Sequence, residues 1–262
     1  MWKKLSSIFL TLYTFIVTYI VLSFFFGVEY QAFFTPLSTL LAFIFAVNHG
    51  IERLGRGKAL LLLGITAGVS LLFECVGVAT GLVYGPYAYT DSLGVKILGL
   101  VPLIIPIAWF MMSYPSFIIT SRVVKAQDNL LSWRVSFAAV GALVMTAWDI
   151  AMDPMMVAGG HWVWQNPGPF FGIPLQNYWG WWLTIFVAFL TYLFVAKITP
   201  ASLKALDNGY DRQAVLSYSI AGLSTILVCL QVGLAGPALA GFFAMTPWVI
   251  LGLNKSSGSK TA

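Results

Sequence analysis

The stretch from Ala59 to Ser70 reads ALLLLGITAGVS and contains no charged residue. Glu74 is the only charged residue between Ala59 and Thr80. At 1.5 Å of rise per residue, roughly 20 apolar residues cross the ~30 Å hydrocarbon core of a bilayer as an α-helix. The run does not alternate between apolar and polar residues, as a strand of a transmembrane barrel does. It therefore predicts a membrane-spanning helix.

The chain as a whole is similarly apolar, because 59% of its 262 residues are hydrophobic and only 9% are charged. This composition lies far outside that of soluble domains. We predict an all-α fold, a polytopic transmembrane bundle of about eight spans, multi-pass in the cell membrane. Residues 1–253 are expected to form one integral membrane domain, and the Ser/Lys-rich residues 254–262 a disordered cytoplasmic tail. The spans are predicted near 8–27, 33–48, 59–80, 95–117, 133–153, 180–197, 214–232 and 236–253.

The basic residues predict the orientation of the bundle, because basic loops are held on the cytoplasmic side. With eight spans, every second connection is basic, both termini are cytoplasmic, and only Lys96 falls on the opposite side. The net charge of +5 is explained by this topology, so nucleic-acid binding is not needed to account for it. The basic residues on the predicted cytoplasmic side are Lys3, Lys4, Arg53, Arg56, Lys58, Arg122, Lys125, Arg134, Lys197, Lys204, Arg212, Lys255 and Lys260.

The third predicted span has two pairs of glycines at a spacing of four. They are Gly64 with Gly68 and Gly77 with Gly81. This spacing puts small residues on one helix face, where another helix backbone can approach closely. We expect both pairs to serve helix packing.

Three carboxyl groups are predicted to lie inside the membrane: Glu74 in the third span, and Asp149 and Asp153 in the fifth. Burying a carboxylate in a bilayer costs at least a few kcal/mol, so such residues are functional candidates. The i,i+4 spacing puts both aspartates on one helix face, and counting from the basic loops gives all three acids a similar depth. We expect them to line one pocket, and at least one of them to carry a proton at neutral pH. The structural alternative is that they pair with Tyr or Trp donors and fasten helices together.

Two loops on the predicted non-cytoplasmic side are rich in aromatic residues. An aromatic girdle at the membrane interface would explain part of this enrichment. The remainder suggests a lid that folds over the bundle, with Gly168, Pro169 and Pro174 setting its turns. The candidate substrate-binding residues are Trp148, Tyr84, Tyr87, Tyr89, His161, Trp162, Trp164 and Asn177.

Metal and cofactor chemistry is disfavoured by the sequence. His49 and His161 are predicted to lie on opposite sides of the membrane, so they cannot share a metal ion, and paired Cys ligands are absent. We find no Ser-His-Asp grouping, phosphate-binding glycine loop or dinucleotide fingerprint in a suitable context. No cofactor is expected. His161 alone could act as a proton shuttle or as a hydrogen-bonded loop residue.

Three ordered blocks resemble a family of carotenoid-biosynthesis membrane proteins, of the bisanhydrobacterioruberin hydratase and gamma-carotene 1'-hydratase type. The first block is ECVGVATG at 74–81 followed by YGPYAY at 84–89. The second is TAWD at 146–149 followed by Asp153-Pro154. The third is GHWVW at 160–164 followed by GIPLQNYWGW at 172–181.

The resemblance implies a cofactor-independent hydro-lyase that adds water across the terminal 1,2 double bond of an acyclic carotenoid and gives a tertiary alcohol. The residue roles are inferred from chemistry and depth and are not carried over from the family: Asp149 or Asp153 would protonate the alkene, aromatic faces would stabilise the cation, and Glu74 would deprotonate water. The implied partners are an acyclic carotenoid, water, membrane lipid and other carotenoid-pathway enzymes.

Two other functions remain open from the sequence. Asp149-xxx-Asp153 and Asp207-xxx-Asp211 resemble the paired diphosphate motifs of a membrane prenyltransferase or another isoprenoid-lipid enzyme, although the predicted topology separates them by a bilayer thickness. A transporter, channel or retinal receptor is the non-enzyme alternative, since buried acids suit proton coupling. A retinal Schiff base needs an intramembrane lysine, and the last three spans offer none at mid-depth.

Overall fold

The computed structural model describes residues 2–29, 31–203 and 210–254. Within these ranges it contains eight α-helices, each long and apolar enough to cross a membrane, which confirms the predicted fold class. The helices are α1 (Trp2–Phe26), α2 (Phe34–Leu54), α3 (Arg56–Thr80), α4 (Ile104–Val123), α5 (Leu130–Ala158), α6 (Leu175–Val195), α7 (Asp211–Gln231) and α8 (Ala235–Leu253).

The fourth and fifth helices differ most from the predicted spans. Residues 95–103 do not belong to α4, because a short hairpin of β2 (Lys96–Ile97) and β3 (Val101–Pro102) occupies them. Gly99 turns this hairpin with a φ of 71°, a conformation that favours glycine. The fifth helix extends beyond its predicted end at residue 153 and continues past Pro154 to Ala158. The connection between the fifth and sixth predicted spans, residues 154–179, is therefore shorter than expected.

The helices alternate in direction, and the most buried of them is α4, whereas α1 is the least buried. α4 contacts α2, α3, α5, α7 and α8, so it forms the centre of the bundle. The bundle has two ends. We call the end that carries Arg53 and Arg122 the basic face, and the end that carries His161 the lid face. Which of them is cytoplasmic remains a prediction from the charge pattern.

A buried ion pair holds the basic face together. Arg53 Nε donates to Asp211 Oδ1 at 2.6 Å, and Arg53 Nη2 donates to the carbonyl of Leu203 at 2.9 Å. Arg122 Nη1 lies 3.8 Å from Asp211 Oδ2 and also binds the carbonyl end of α8. These contacts join α2, α4, α7 and α8. Asp207, Lys204, Lys255, Lys260 and the predicted tail beyond Asn254 lie outside the described residues.

The glycine pairs do not act as predicted. Added Cβ atoms at Gly64 and Gly68 would meet no atom within 4 Å, so these glycines pack against no other helix. Gly77 instead makes room for the ring of Tyr84, and Gly81 ends α3 with a left-handed φ of 71°. The prediction was wrong because the same spacing also occurs on open helix faces and at helix ends.

A two-stranded sheet covers the lid face. β1 (Tyr87–Tyr89) and β4 (Trp162–Trp164) run antiparallel, with Tyr87 opposite Trp164 and Tyr89 opposite Trp162. Their middle residues are more exposed, and Val163 is 56% exposed, so the four rings point into the bundle. We call this sheet the lid. It confirms that the two aromatic loops fold over the helices.

Candidate active site

A cavity of about 190 Å³ lies beneath the lid. All of the predicted site residues except Asp149 and His161 line it. Its acidic and amide side chains come from three helices: Glu74 from α3, Asp153 from α5 and Asn177 from α6. Its aromatic walls are Tyr13, Tyr84, Tyr87, Tyr89, Trp109, Trp148, Trp162, Trp164 and Trp181.

Glu74 is held by three donors and is almost fully buried. Tyr87 and Tyr89 both donate from their hydroxyl groups to Oε2, the second at 2.8 Å. Trp109 Nε1 donates to Oε1 at 2.9 Å. Glu74 accepts at both oxygens in these contacts, and the indole of Trp109 can only donate, an arrangement that suits a carboxylate.

The two lid tyrosines are suited to this task. Burial, and then the nearby Glu74 carboxyl, raises the pKa of Tyr87 and Tyr89 well above its ordinary value of 10. Both phenols therefore stay protonated and remain hydrogen-bond donors at neutral pH. Tyr84 has its pKa raised for the same reasons, and its hydroxyl hydrogen-bonds to Thr184 Oγ1 at 2.8 Å.

Asp149 and Asp153 form a second carboxyl centre. Asn177 Nδ2 donates to Asp153 Oδ2 at 2.6 Å and to Asp149 Oδ2 at 2.8 Å. Trp162 Nε1 donates from the lid to Asp153 Oδ1 at 2.7 Å. The i,i+4 spacing thus brings both aspartates to one amide group, as predicted.

The two aspartates are not equivalent. Asp153 faces the cavity, whereas Asp149 lies one helical turn further from the lid, fully buried, and does not line the cavity. Its Oδ1 atom has no hydrogen-bond partner among the described residues. Two carboxyl groups on one amide nitrogen repel each other when both are ionised, so the pair favours sharing a proton. The expectation that all three acids line one pocket is wrong for Asp149, because the cavity ends at Asn177.

Two tryptophans in the helices were missed by sequence reasoning. Trp109 binds Glu74 and stacks on Trp181, with ring centroids 4.1 Å apart. Trp181 also meets Trp148 edge to face at 6.1 Å. A tryptophan within an apolar span resembles any other lipid-facing or core residue, so Trp109 could not be singled out from the sequence.

His161 lies outside this cavity. Its Nδ1 is 2.9 Å from Ser92 Oγ, and its carbonyl accepts from the Thr90 amide at 3.0 Å. Burial lowers the pKa of His161 below its ordinary value of 6.5. These contacts support the interpretation of a hydrogen-bonded loop residue that fastens the lid.

The other predicted polar residues lie at the opposite end of the bundle. His49 Nδ1 is 2.6 Å from the hydroxyl of Tyr114, and its Nε2 is 2.9 Å from the carbonyl of Tyr210. Asp211 is occupied by Arg53. The second half of the diphosphate-like pattern therefore lies in an ion pair at the basic face, remote from Asp149 and Asp153.

The arrangement allows acid–base chemistry on an apolar molecule. Asp153, with Asp149 buried behind it, and Glu74 with its three donors meet aromatic rings in one cavity, and no Lys or Arg is among the described residues that line it. Aromatic faces attract cations, and buried carboxyl groups can exchange protons with a bound substrate.

The fold and the cavity define a multi-pass helical membrane protein with a carboxyl-bearing, aromatic-walled site. The model of the carotenoid biosynthesis protein family matches residues 30–247, and the chain belongs to this family. A relative from Haloarcula japonica, bisanhydrobacterioruberin hydratase, is 36% identical over 121 residues, which is 46% of this chain and 40% of that protein. The match thus spans less than half of the relative's length. No solved structure gives a significant match.

Proposed function

We propose that this protein is a carotenoid hydratase that adds water across the terminal 1,2 double bond of an acyclic carotenoid end group. The observation that carries the proposal is that Glu74 and Asp153 line one aromatic-walled cavity. Membership of a carotenoid biosynthesis family, and a relative named as a hydratase, support the substrate class and the reaction. The product would be a tertiary alcohol.

Asp153 is the proton donor of the proposed reaction, because it faces the cavity and because the neighbouring Asp149 carboxyl disfavours ionisation of both groups at once. Its proton forms a C–H bond at C2 of the alkene, using the π electron pair of the double bond. The positive charge that develops at the tertiary C1 is stabilised by the faces of Trp109, Trp148 and Trp181. Asn177 holds Asp153 through a hydrogen bond at the cavity wall, and Asp149, which shares this donor but does not line the cavity, acts as a positioning residue.

Glu74 is the base. Water attacks C1 as its proton passes to the carboxylate, so that one O–H bond breaks and one C–O bond forms. The net change is one molecule of water added, and transfer of the proton from Glu74 back to the aspartate pair restores the enzyme. The three donors on Glu74 orient it towards the cavity, and hydrogen bonds of this kind favour the carboxylate over the protonated form.

The size of the cavity fits one end of a long substrate. Pockets that enclose a whole small ligand measure about 300–1,000 Å³, and this cavity of about 190 Å³ is smaller. It suits the branched terminal unit of the chain, while the rest lies outside it. A long apolar polyene would arrive from the bilayer, with the basic face cytoplasmic and the lid on the other side.

The test is expression in a host that makes acyclic carotenoids, followed by mass analysis of the pigments. We expect the wild type to add one water per modified end. Asp153→Asn and Glu74→Gln should lose this product while inserting normally. Asp91→Asn is the matched control, since the Asp91 side chain is fully exposed outside the cavity. Unchanged pigments with the wild type would refute the proposal.

The same experiment separates the two alternative functions. A prenyltransferase would lengthen the carbon skeleton and release diphosphate, and its product mass would rise by whole isoprene units. A transporter would leave the pigments unchanged and move a solute in a vesicle flux assay. Asp211 lies in an ion pair with Arg53 at the basic face, so it does not join Asp149 and Asp153 in a diphosphate site.

A further inference from the structure

We infer that a second cavity, a groove between α1 and α7, binds the polyene chain of the substrate next to its reacting end. This inference rests on the proposed function. The groove measures about 240 Å³, and its walls come from α1, α2, the end of α5 and α7. We call it the side groove.

The side groove continues from the acid cavity. Val17, Met155, Met156 and Thr225 belong to the walls of both spaces. Together the two volumes fall within the range of about 300–1,000 Å³ that is typical of ligand sites. A chain end that enters the acid cavity therefore has a continuous path along which its next carbons can lie.

Splaying of two parallel helices explains how the side groove forms. At the basic face, Ser6 Oγ of α1 is 3.0 Å from Tyr210 Oη, and Gln213 Nε2 of α7 donates to Ser7 Oγ at 3.0 Å. The wall residues begin ten or eleven positions further along each helix, about 15 Å closer to the lid face. The helices touch at one end and leave a gap at the other.

The chemistry of the walls selects an apolar occupant. Val21 and Phe24 of α1 line the side groove together with Val228 of α7 and Val232. Its described walls contain no Asp, Glu, Lys or Arg, and their polar residues are Thr35, Ser38, His161, Ser224 and Thr225. Val232 is 43% exposed at the outer edge, where the side groove meets the lipid. An uncharged chain can pass from the bilayer into this space without losing hydrogen bonds to water. The polyene chain is such an occupant, and its length requires a path out of the small acid cavity.

Substitutions that fill the side groove test the inference. Val21→Phe and Val228→Phe add bulk at two walls that do not belong to the acid cavity. With an acyclic carotenoid supplied in lipid vesicles, we expect each to lower kcat/KM by about tenfold or more, because an added ring blocks the path.

A substitution on the lipid-facing side of α7 is the matched control. Leu230 is 51% exposed and does not line the side groove, so Leu230→Phe should leave kcat/KM unchanged. Each variant is compared at equal amounts of protein with a wild-type unfolding temperature. Wild-type conversion by Val228→Phe would mean that the groove holds only lipid, and it would overturn the inference. An equal loss in Leu230→Phe would do the same, whereas an inactive wild type would refute the proposed function itself.

Discussion

Replacing Asn177 should most clearly distinguish the role of the Asp149 and Asp153 pair from that of Glu74, because the Asn177 side chain binds the two aspartates and not Glu74. Asn177 Nδ2 donates to Asp149 and Asp153 at 2.8 and 2.6 Å, and the residue is only 2% exposed. Asn177→Leu keeps a side chain of similar size and removes both hydrogen bonds. Hydrogen bonds to charged groups contribute about 1.5–3 kcal/mol each, so we expect a loss of about 3 kcal/mol or more in the free energy of unfolding.

This loss can be measured as a shift in unfolding temperature. For a chain of this size, each kcal/mol corresponds to about 2–4 °C, so Asn177→Leu should unfold about 6–12 °C lower in detergent. Hydration should fall by about a hundredfold, because Asp153 is no longer held towards the substrate. Asn48→Leu is the matched control: Asn48 is 7% exposed and donates only to the carbonyl of Ile44 within its own helix. It should lower the unfolding temperature by about 4 °C at most.

Two outcomes would refute this reasoning. The first is an Asn177→Leu protein that unfolds at the wild-type temperature, which would mean that Asn177 does not bind the aspartates. The second is an Asn48→Leu protein that loses as much stability and activity as Asn177→Leu. In that case, the effect would belong to any buried asparagine in the bundle.

Three further predictions concern other parts of the molecule. Asp211→Asn leaves Arg53 buried without its carboxylate, so it should cost about 3–5 kcal/mol of unfolding free energy, while hydration per folded molecule stays unchanged; a wild-type melting curve would contradict this. Trp109→Phe keeps a ring that can stack on Trp181 but removes the donor to Glu74, and kcat should fall by about ten- to a hundredfold; an unchanged kcat would exclude this hydrogen bond from the mechanism. The lowered pKa of His161 means that the folded lid resists protonation, so neutral His161 contributes stability above about pH 6.5 that is lost as the pH falls towards the lowered pKa; after correction for the intrinsic pH dependence of amide exchange, residues 162–164 should be less protected from hydrogen exchange at pH 5 than at pH 7, and His161→Gln should remove this difference.

Much of the fold follows from hydrophobicity alone. Long apolar runs predict the eight helices because a bilayer leaves the backbone few other ways to satisfy its hydrogen bonds. The shared depth of Glu74 and Asp153 also follows, since each helix rises by a fixed amount per residue from its basic end. The lid could be predicted in part from the sequence, because the two loops contain more aromatic residues than an interfacial girdle requires.

The remaining features depend on contacts that one sequence does not reveal. The pairing of Tyr87 with Trp164 joins residues 77 positions apart, and each strand has only three residues, too few for a clear pattern. Residues 95–103 are apolar enough to extend a helix, but the glycines at 94 and 99 turn the chain instead. The sequence pattern does not distinguish Asp149 from Asp153. They differ only in the folded structure, where both accept from Asn177 but only Asp153 faces the cavity.

The most direct test of the account is the mass of the product formed in heavy water. Protonation of the alkene by a carboxyl group places one solvent hydron on carbon, and that hydron does not exchange afterwards. After the hydroxyl group is exchanged back in ordinary water, each new tertiary alcohol should therefore retain one deuterium. A hydroxylated product without deuterium in its carbon skeleton would contradict proton addition, and with it the roles of Asp153 and Glu74.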